Sequence, residues 1–381
     1  MTRAARLALT CTLLICAAPA PMLAAVAAKP AKSALAPFSA PRNGFGQPDM
    51  SGYWSNATLT PESRNPRLGD RAIFTPEEVA KQEGAVVKEV EDGNKPIDPN
   101  IAPKVGGDAT PGIRPEFAAA GGAVGGYDRG WLDPGNYVMR VHGEARTSFL
   151  TTPNGQVPSR KAGAPPAPRG FFGGGGGARG SGADYENRSL GERCILSFGR
   201  NAGPPMFPNG FYNNNYQILQ TPTTVVIQVE MVHDLRVIRL NGTHRTDGVR
   251  PWMGDSIGHW EGDTLVVETT NIPQRQAYRG SWEHLTVTER FTRTAKDRVL
   301  YQFTIDDPSL YDKAWGGEYE FSPLKGVIYE YACHEGNYAL PGILAGARSD
   351  EEAADAAKAQ AAAAKAAADA AAAASKPKVK S

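Results

Sequence analysis

The chain has 381 residues, with 41 Lys and Arg against 40 Asp and Glu and a formal net charge of +1. Its basic residues are scattered among acids, which excludes the broad positive field that nucleic acid or an anionic membrane surface requires.

At the N-terminus Arg3 and Arg6 precede an apolar run from Leu7 to Ala18 and small residues around Ala25-Val26-Ala27. This is the pattern of a secretory signal peptide, taken here as residues 1–28. The run is shorter than the roughly 20 apolar residues of a membrane span, and no later segment reads as transmembrane. Bulky Ile15 argues against lipid attachment at Cys16. The mature protein is therefore expected in the periplasm or secreted beyond it. Residues 29–47, rich in Ala and Pro, read as a flexible spacer, with order expected from Pro48 through Tyr53-Trp54.

Thr75-Pro76-Glu77-Glu78 predicts a short helix running to about Val87 or Lys88, with Thr75 as N-cap, proline in the first turn and acids at the positive end of the dipole. Beyond it Gly and Pro dominate until Tyr127, as in a long loop-rich wrap over something larger. Arg146 to Thr152 predicts a strand, ended by the turn Pro153-Asn154-Gly155. The Gly- and Pro-rich stretch 159–183 predicts a disordered loop. It lacks the Gly-Lys-Ser/Thr or strand–helix setting of a phosphate-binding loop.

From Asn215 onward the period is two. Strands are predicted at Tyr216 to Gln220, around Val225 to Val232 and at Leu235 to Leu240, with Asn241-Gly242 as a hairpin turn. A second hairpin is predicted across Gly262-Asp263 and a third across Ala295-Lys296-Asp297. Glu318 to Phe321 and Ile328 to Cys333 complete about nine strands. The expected fold is a single mainly β domain over 48–348, an antiparallel up-and-down meander closing into a lipocalin-like barrel whose last strand meets its first. Past Arg348 an alanine-dominated tail, 349–381, predicts an exposed helical appendage with a capping box at Ser349 and Glu352.

Once the leader is removed, Cys194 and Cys333 are the two cysteines left. In an oxidising compartment a disulfide is the simplest reading; separate thiols or metal ligation are the alternatives. Six histidines occur. His233 stands near Glu230 and Asp234, and His334 lies between Cys333 and Glu335. The candidate catalytic groups are accordingly His233, His334, Glu230 and Glu335, with imidazole as general acid or base because it titrates near neutrality. The competing reading is that these groups satisfy one another at strand ends.

No cofactor is called for. A metal held by the histidines and Glu230 or Glu335 is a weaker alternative, since the spacing of HExxH is missing. Ser256 in Gly-Asp-Ser-Ile-Gly lacks the strand-to-helix setting of a hydrolase nucleophile. Trp252, Trp260, Tyr331 and Arg236 are the candidate ligand-binding residues, for a small apolar or aromatic molecule. The plainer reading makes the aromatics packing and pairs Arg236, Arg239, Arg290 and Arg293 with Glu289 and its neighbours across strands.

The motifs PDMSGYW, ARTSFLTTPNGQVP, ERCIL, EMVHDLRVIRLNG, WMGDSIGHWEGDTLVVETTN, TERFTR, YEYACHEGNY and ILAGAR resemble those of a group of uncharacterised exported bacterial proteins. The resemblance covers most of Pro48 to Arg348 and implies export and a single folded unit; it transfers no catalytic residue. By looser analogy the meander is similar to the calycin or lipocalin architecture, which hosts carriers of small apolar molecules and some lyases, hydratases and isomerases. The functional expectation is a small-molecule pocket in the barrel, with non-redox acid–base chemistry. The rivals are a non-catalytic ligand-binding or envelope-interaction protein and a hydrolase. A solid interior with outward-facing histidines would favour the non-catalytic rival.

Overall fold

The computed structural model describes residues 38–93, 133, 135–164, 182–210 and 212–374. Phe38–Ser381 form one compact unit. The predicted leader, the Gly-rich part of the 159–183 loop and the last residues of the tail lie outside the described residues.

The fold is a closed barrel of nine strands, as the alternating pattern predicts. They are β1 (Gly52–Ser55), β4 (Asn215–Gln220), β5 (Thr224–Val229), β6 (Leu235–Leu240), β7 (Asp255–Glu261), β8 (Thr264–Thr270), β9 (Thr286–Ala295), β10 (Arg298–Asp306) and β11 (Trp315–Pro323). Two short strands, β2 (Arg140–Val141) and β3 (Glu144–Ala145), make a separate hairpin. Alternate residues face inward and are buried: Val225, Ile227 and Val229 on β5, for example, and Val287, Glu289 and Phe291 on β9. A closed sheet leaves no edge exposed to a second chain.

Two features of the meander differ from the sequence expectation. The barrel is not antiparallel throughout, because β6 and β7 run parallel, with Ile238 opposite Ser256 and Leu240 opposite Gly258. Asn241-Gly242 does not close a hairpin. Asn241 adopts φ 54° and donates its N–H to Gly258 O at 2.7 Å, and the chain then crosses to start β7 beside β6. Charge fixes this crossover: the buried Asp255 carboxylate accepts from Arg239 at 2.8 Å and from the Arg245 N–H at 2.9 Å. Glycine is required at 258 by close approach, since a Cβ there would come within 2.9 Å of Ile238 and 3.1 Å of Val266 O.

The second difference is the closing strand. Ile328 to Cys333 forms no strand; β1 closes the barrel instead, pairing Trp54 with Tyr216 on one side and with Pro323 on the other. Trp54 is buried, with its indole N–H on Met50 O at 3.0 Å. Tyr329 and His334 are exposed, and a strand there would have had little apolar surface to bury.

Residues 146–152 likewise make isolated bridges rather than a strand, Arg146 with Ile73 and Leu150 with Gly317, and cover the part of β11 that short β1 leaves unpaired. Helix α1 (Pro76–Gly93) outruns its predicted end. Its capping box is present, with the Thr75 N–H on Glu78 Oε2 at 2.9 Å and the Glu78 N–H on Thr75 Oγ1 at 3.3 Å. Part of the expected spacer, from Phe38 to Gln47, docks on the barrel through Arg42–Asp263 at 2.6 Å and through Gln47 Nε2 on Thr221 O at 3.1 Å; residues 29–37 lie outside the described residues. Helix α2 (Ala339–Ala374) begins before the alanine tail and runs through Ser349, so Ser349 caps nothing. No described helix is long and apolar enough to cross a membrane.

Candidate functional site

The barrel interior is filled from its walls. Tyr301 lies 4.8 Å from Tyr319 and 5.0 Å from Phe291, and Tyr216 lies 5.3 Å from Phe321, between ring centroids. Among these rings sits an ion pair between Arg236 and Glu289, whose side chains are 1% and 0% exposed. The guanidinium donates to both Glu289 oxygens, to Thr269 Oγ1 at 2.9 Å and to Ser256 Oγ at 3.2 Å. The Tyr301 hydroxyl donates to Glu289 at 2.7 Å and accepts from the Met206 N–H at 2.9 Å. Arg236 thus pairs with Glu289, as the sequence suggests, but through the lumen, since β6 and β9 are not neighbours.

The segment 197–207 stoppers one end. Tyr319 donates its hydroxyl to Met206 O at 2.9 Å, Tyr216 donates to Asn201 O at 3.2 Å, and Asn56 Nδ2 donates to Tyr216 Oη at 3.0 Å. Apart from Asn56 Oδ1, these partners satisfy the lumen's polar groups named here from within the protein, and Arg236 is a core residue whose guanidinium is held by Glu289, Thr269 and Ser256.

The four candidate catalytic residues do not converge inside the barrel. His233 lies not on a strand but in a 3-10 turn, Met231–His233, where Val232 and His233 both take positive φ, and its ring is exposed. The left-handed backbone breaks the period of two on which the strand assignment relied. Glu230 is buried by its partners: its oxygens accept from Asn215 Nδ2 at 2.7 Å and from the Tyr329 N–H at 2.9 Å. His334 and Glu335 are exposed on the segment after β11. That segment is tied down by the disulfide Cys194–Cys333, with S–S 2.01 Å and 139 residues of separation. Of the expected ligand contacts, Trp252 stands exposed on the crossover loop, while Trp260 and Tyr331 pack against the core.

His244, which the sequence did not single out, is the described histidine held between two carboxylates. Nδ1 lies 3.0 Å from Asp255 and Nε2 3.1 Å from Glu268. Both ring nitrogens are engaged, which suits a clasp on the crossover better than proton transfer to a third molecule. Among the described residues no group of three or more His, Cys, Asp or Glu is placed to hold a metal ion.

Four of the buried side-chain donors without a partner, Arg160 Nε, Ser281 Oγ, Tyr311 Oη and Trp315 Nε1, lie at the rim. The turn Tyr278–Ser281, with Arg279 at φ 53° and Gly280 at φ 92°, meets residues 307–315 and 160–161. Tyr278 meets Trp315 in a tilted ring contact at 5.9 Å, and Tyr311 meets it edge-on at 5.6 Å. Lys161 N–H donates to Leu310 O at 2.8 Å, which fixes Arg160 beside this loop; residues 159–164 are thus ordered, contrary to the loop expectation. Behind Tyr278 lies Arg200, its guanidinium 4.9 Å from the ring centroid. Arg200 is buried and bonded to the carbonyls of Pro204 and, at 3.1 Å, of Gln276. Burial lowers its pKa to about 10, so the charge is retained at neutral pH. In front, Glu62 accepts from Tyr278 at 2.7 Å and from Arg279 at 2.8 Å.

A groove of about 660 Å³ adjoins the rim on the outer wall, lined by Ser159, Arg290, Gln302, Lys313 and Trp315 among others. Arg160, Arg200, Arg279 and Tyr311 escaped sequence reasoning because they lie far apart in the chain; the close-set Tyr278-Arg279-Gly280-Ser281 is the signal that could have prompted attention.

Two buried aspartates give a pH signature. Burial pushes the Asp234 carboxyl up to about 6, against the Ser197 N–H at 2.8 Å, which favours its ionised form. Because the folded value is raised, the unfolded chain releases its proton first, and stability falls as pH rises from about 4 through 6. The expected loss is about 3 kcal/mol. Asp255 is also penalised by burial, but Arg239, the Arg245 N–H and His244 outweigh this and hold it at about 2. Its contribution is present above pH 4 and lost on acidification towards 2, a separate window. Urea unfolding of Asp234→Asn between pH 4 and 7 should show a flattened profile; an unchanged slope would assign the dependence elsewhere.

No protein-family model matches the chain, and no curated protein matches it.

Proposed function

We propose that this chain is an exported, non-catalytic binding protein that receives a small molecule at the rim and outer wall of its barrel. The single observation that carries this reading is the contrast between lumen and rim. Apart from Asn56 Oδ1, the buried polar groups described in the lumen are hydrogen-bonded to one another, whereas the rim gathers four buried donors without a partner, Arg160 Nε, Ser281 Oγ, Tyr311 Oη and Trp315 Nε1, beside an open groove.

The acid–base reading has less support, because His233 and His334 face solvent and Glu230 serves the Tyr329 backbone. A hydrolase reading loses its nucleophile, since Ser256 Oγ is buried against Thr269 Oγ1 at 2.8 Å and Arg236. The leader pattern argues for export to the periplasm or beyond, and the disulfide fits an oxidising compartment.

The test is a thermal-shift screen of the full chain against a metabolite library, since a ligand that binds the native state raises Tm by mass action. Hits should be recovered unchanged after incubation, and their shifts retained in the His233→Gln/His334→Gln double variant. Conversion of a hit to product by wild type, abolished in that variant, would replace the binding reading with the catalytic one.

A further inference from the structure

The rim carries a chemical bias, and the inference drawn from it rests on the rim-binding reading. We propose that the rim recognises the oxyanion of a small molecule, a carboxylate or phosphate, with Arg160 supplying charge and Ser281, Tyr311 and Trp315 supplying hydrogen bonds.

Unsatisfied donors are the first ground. Among the described residues, buried polar side-chain atoms without a hydrogen-bond partner include Arg160 Nε, Ser281 Oγ, Tyr311 Oη and Trp315 Nε1. Ser281, Tyr311 and Trp315 are 0%, 3% and 4% exposed. All four atoms can donate, and a buried donor without an acceptor is costly. They belong to one neighbourhood. Tyr311 and Trp315 are in edge-on ring contact at 5.6 Å, Ser281 and Tyr278 exchange backbone hydrogen bonds of 2.8 and 2.9 Å, and Tyr278 makes a tilted ring contact with Trp315 at 5.9 Å. Arg160 reaches the same turn: a Cβ on Gly280 would lie 3.0 Å from its Nη2.

Charge is the second ground. Among the described residues Arg160 forms no ion pair. Arg200, behind the Tyr278 ring, is bonded to carbonyls rather than to a carboxylate. The acids nearby have partners: Glu62 is shared by Tyr278 and Arg279, Asp307 accepts from the Ser309 N–H and hydroxyl at 3.0 and 2.5 Å, and Asp312 lies 3.8 Å from Lys161 Nζ. Arg160 and Arg279 both act on the Tyr311 hydroxyl, drawing its pKa down while burial, the larger effect, raises it. A guanidinium fork matches a carboxylate or phosphate, and the adjoining aromatic faces suit a planar body attached to it.

Isothermal titration of the full chain with benzoate, inorganic phosphate and neutral benzamide separates the outcomes. Benzoate or phosphate should bind saturably at millimolar concentration or below, more weakly as chloride is raised, and benzamide should bind at least about tenfold more weakly. Arg160→Gln should weaken the anion by about tenfold. Tyr311→Phe should weaken it several-fold without lowering Tm, because the hydroxyl has no partner in the protein to lose. Should Arg160→Gln fail to fold, the chloride dependence and Tyr311→Phe still decide the matter.

Equal binding of benzamide and benzoate, unaffected by either substitution, would overturn the oxyanion inference and leave rim binding standing if Trp315 fluorescence reports the titration. Anion binding confined to adventitious sites, unchanged in both variants, would also overturn it. If none of the three probes binds, the oxyanion inference fails, whatever the library screen finds at the rim.

Discussion

Replacing Glu289 by Gln should cost about 3–5 kcal/mol of folding stability, the largest loss expected from any single substitution in the barrel. The carboxylate is fully buried, accepts two bonds from Arg236 and one at 2.7 Å from the Tyr301 hydroxyl. Glutamine keeps the volume and one acceptor but leaves the guanidinium charge uncompensated where water cannot reach it. The pair itself need not stabilise, because desolvating both ions offsets much of their attraction. A Glu289→Met/Arg236→Met double variant should therefore recover most of the loss. Urea unfolding of Glu289→Met, Arg236→Met and the double variant gives the coupling directly. If Glu289→Gln unfolds at the same urea concentration as wild type, the lumen is wetter than described and the account of a filled interior fails with it.

Breaking the Cys194–Cys333 bridge should cost a comparable amount. It spans 139 residues and encloses every barrel strand except β1; in the chain-entropy model a loop of that length is worth about 5 kcal/mol. Its local consequence is separable. The segment after β11 is held by the disulfide, by the Tyr329 N–H on Glu230 at 2.9 Å and by Asn337 Nδ2 on Glu192 O at 3.0 Å. In the Cys194→Ser/Cys333→Ser variant the Tyr329 amide should lose hydrogen-exchange protection while the amides of β9 and β10 keep theirs relative to the lowered global stability. A variant of wild-type stability would mean that the unfolded chain is already compact enough for the bridge to constrain little.

What was legible in the sequence is what depends on neighbours along the chain. The alternation Val225, Ile227, Val229 marks a buried strand face, Gly262-Asp263 closes the β7–β8 hairpin with Glu261 opposite Thr264, and Thr75 with Glu78 forms the predicted cap. What was illegible depends on groups brought together from afar. Asn241-Gly242 has the composition of a hairpin turn, yet Asp255 and Gly258, more than ten residues later, steer it into a parallel crossover. The strand predicted around Val225 to Val232 ends at Val229, because nothing local announces that Val232 and His233 adopt positive φ. The closing strand could not be told from Ile328 to Cys333, because both candidates carry aromatics and only the fold decides which can bury them. The rim is the extreme case: Arg160, Arg200, Arg279 and Tyr311 come from separate stretches, and no short motif contains two of them.

The central claim is that the lumen is packed solid and that binding belongs to the rim. Fluorescence titration of the full chain with N-phenyl-1-naphthylamine, an apolar dye that enters hollow barrels, tests it most directly. The account predicts no saturable enhancement under native conditions. Stoichiometric, saturable binding that is lost when the lumen residue Val267 is enlarged to Trp in a folded variant would contradict it.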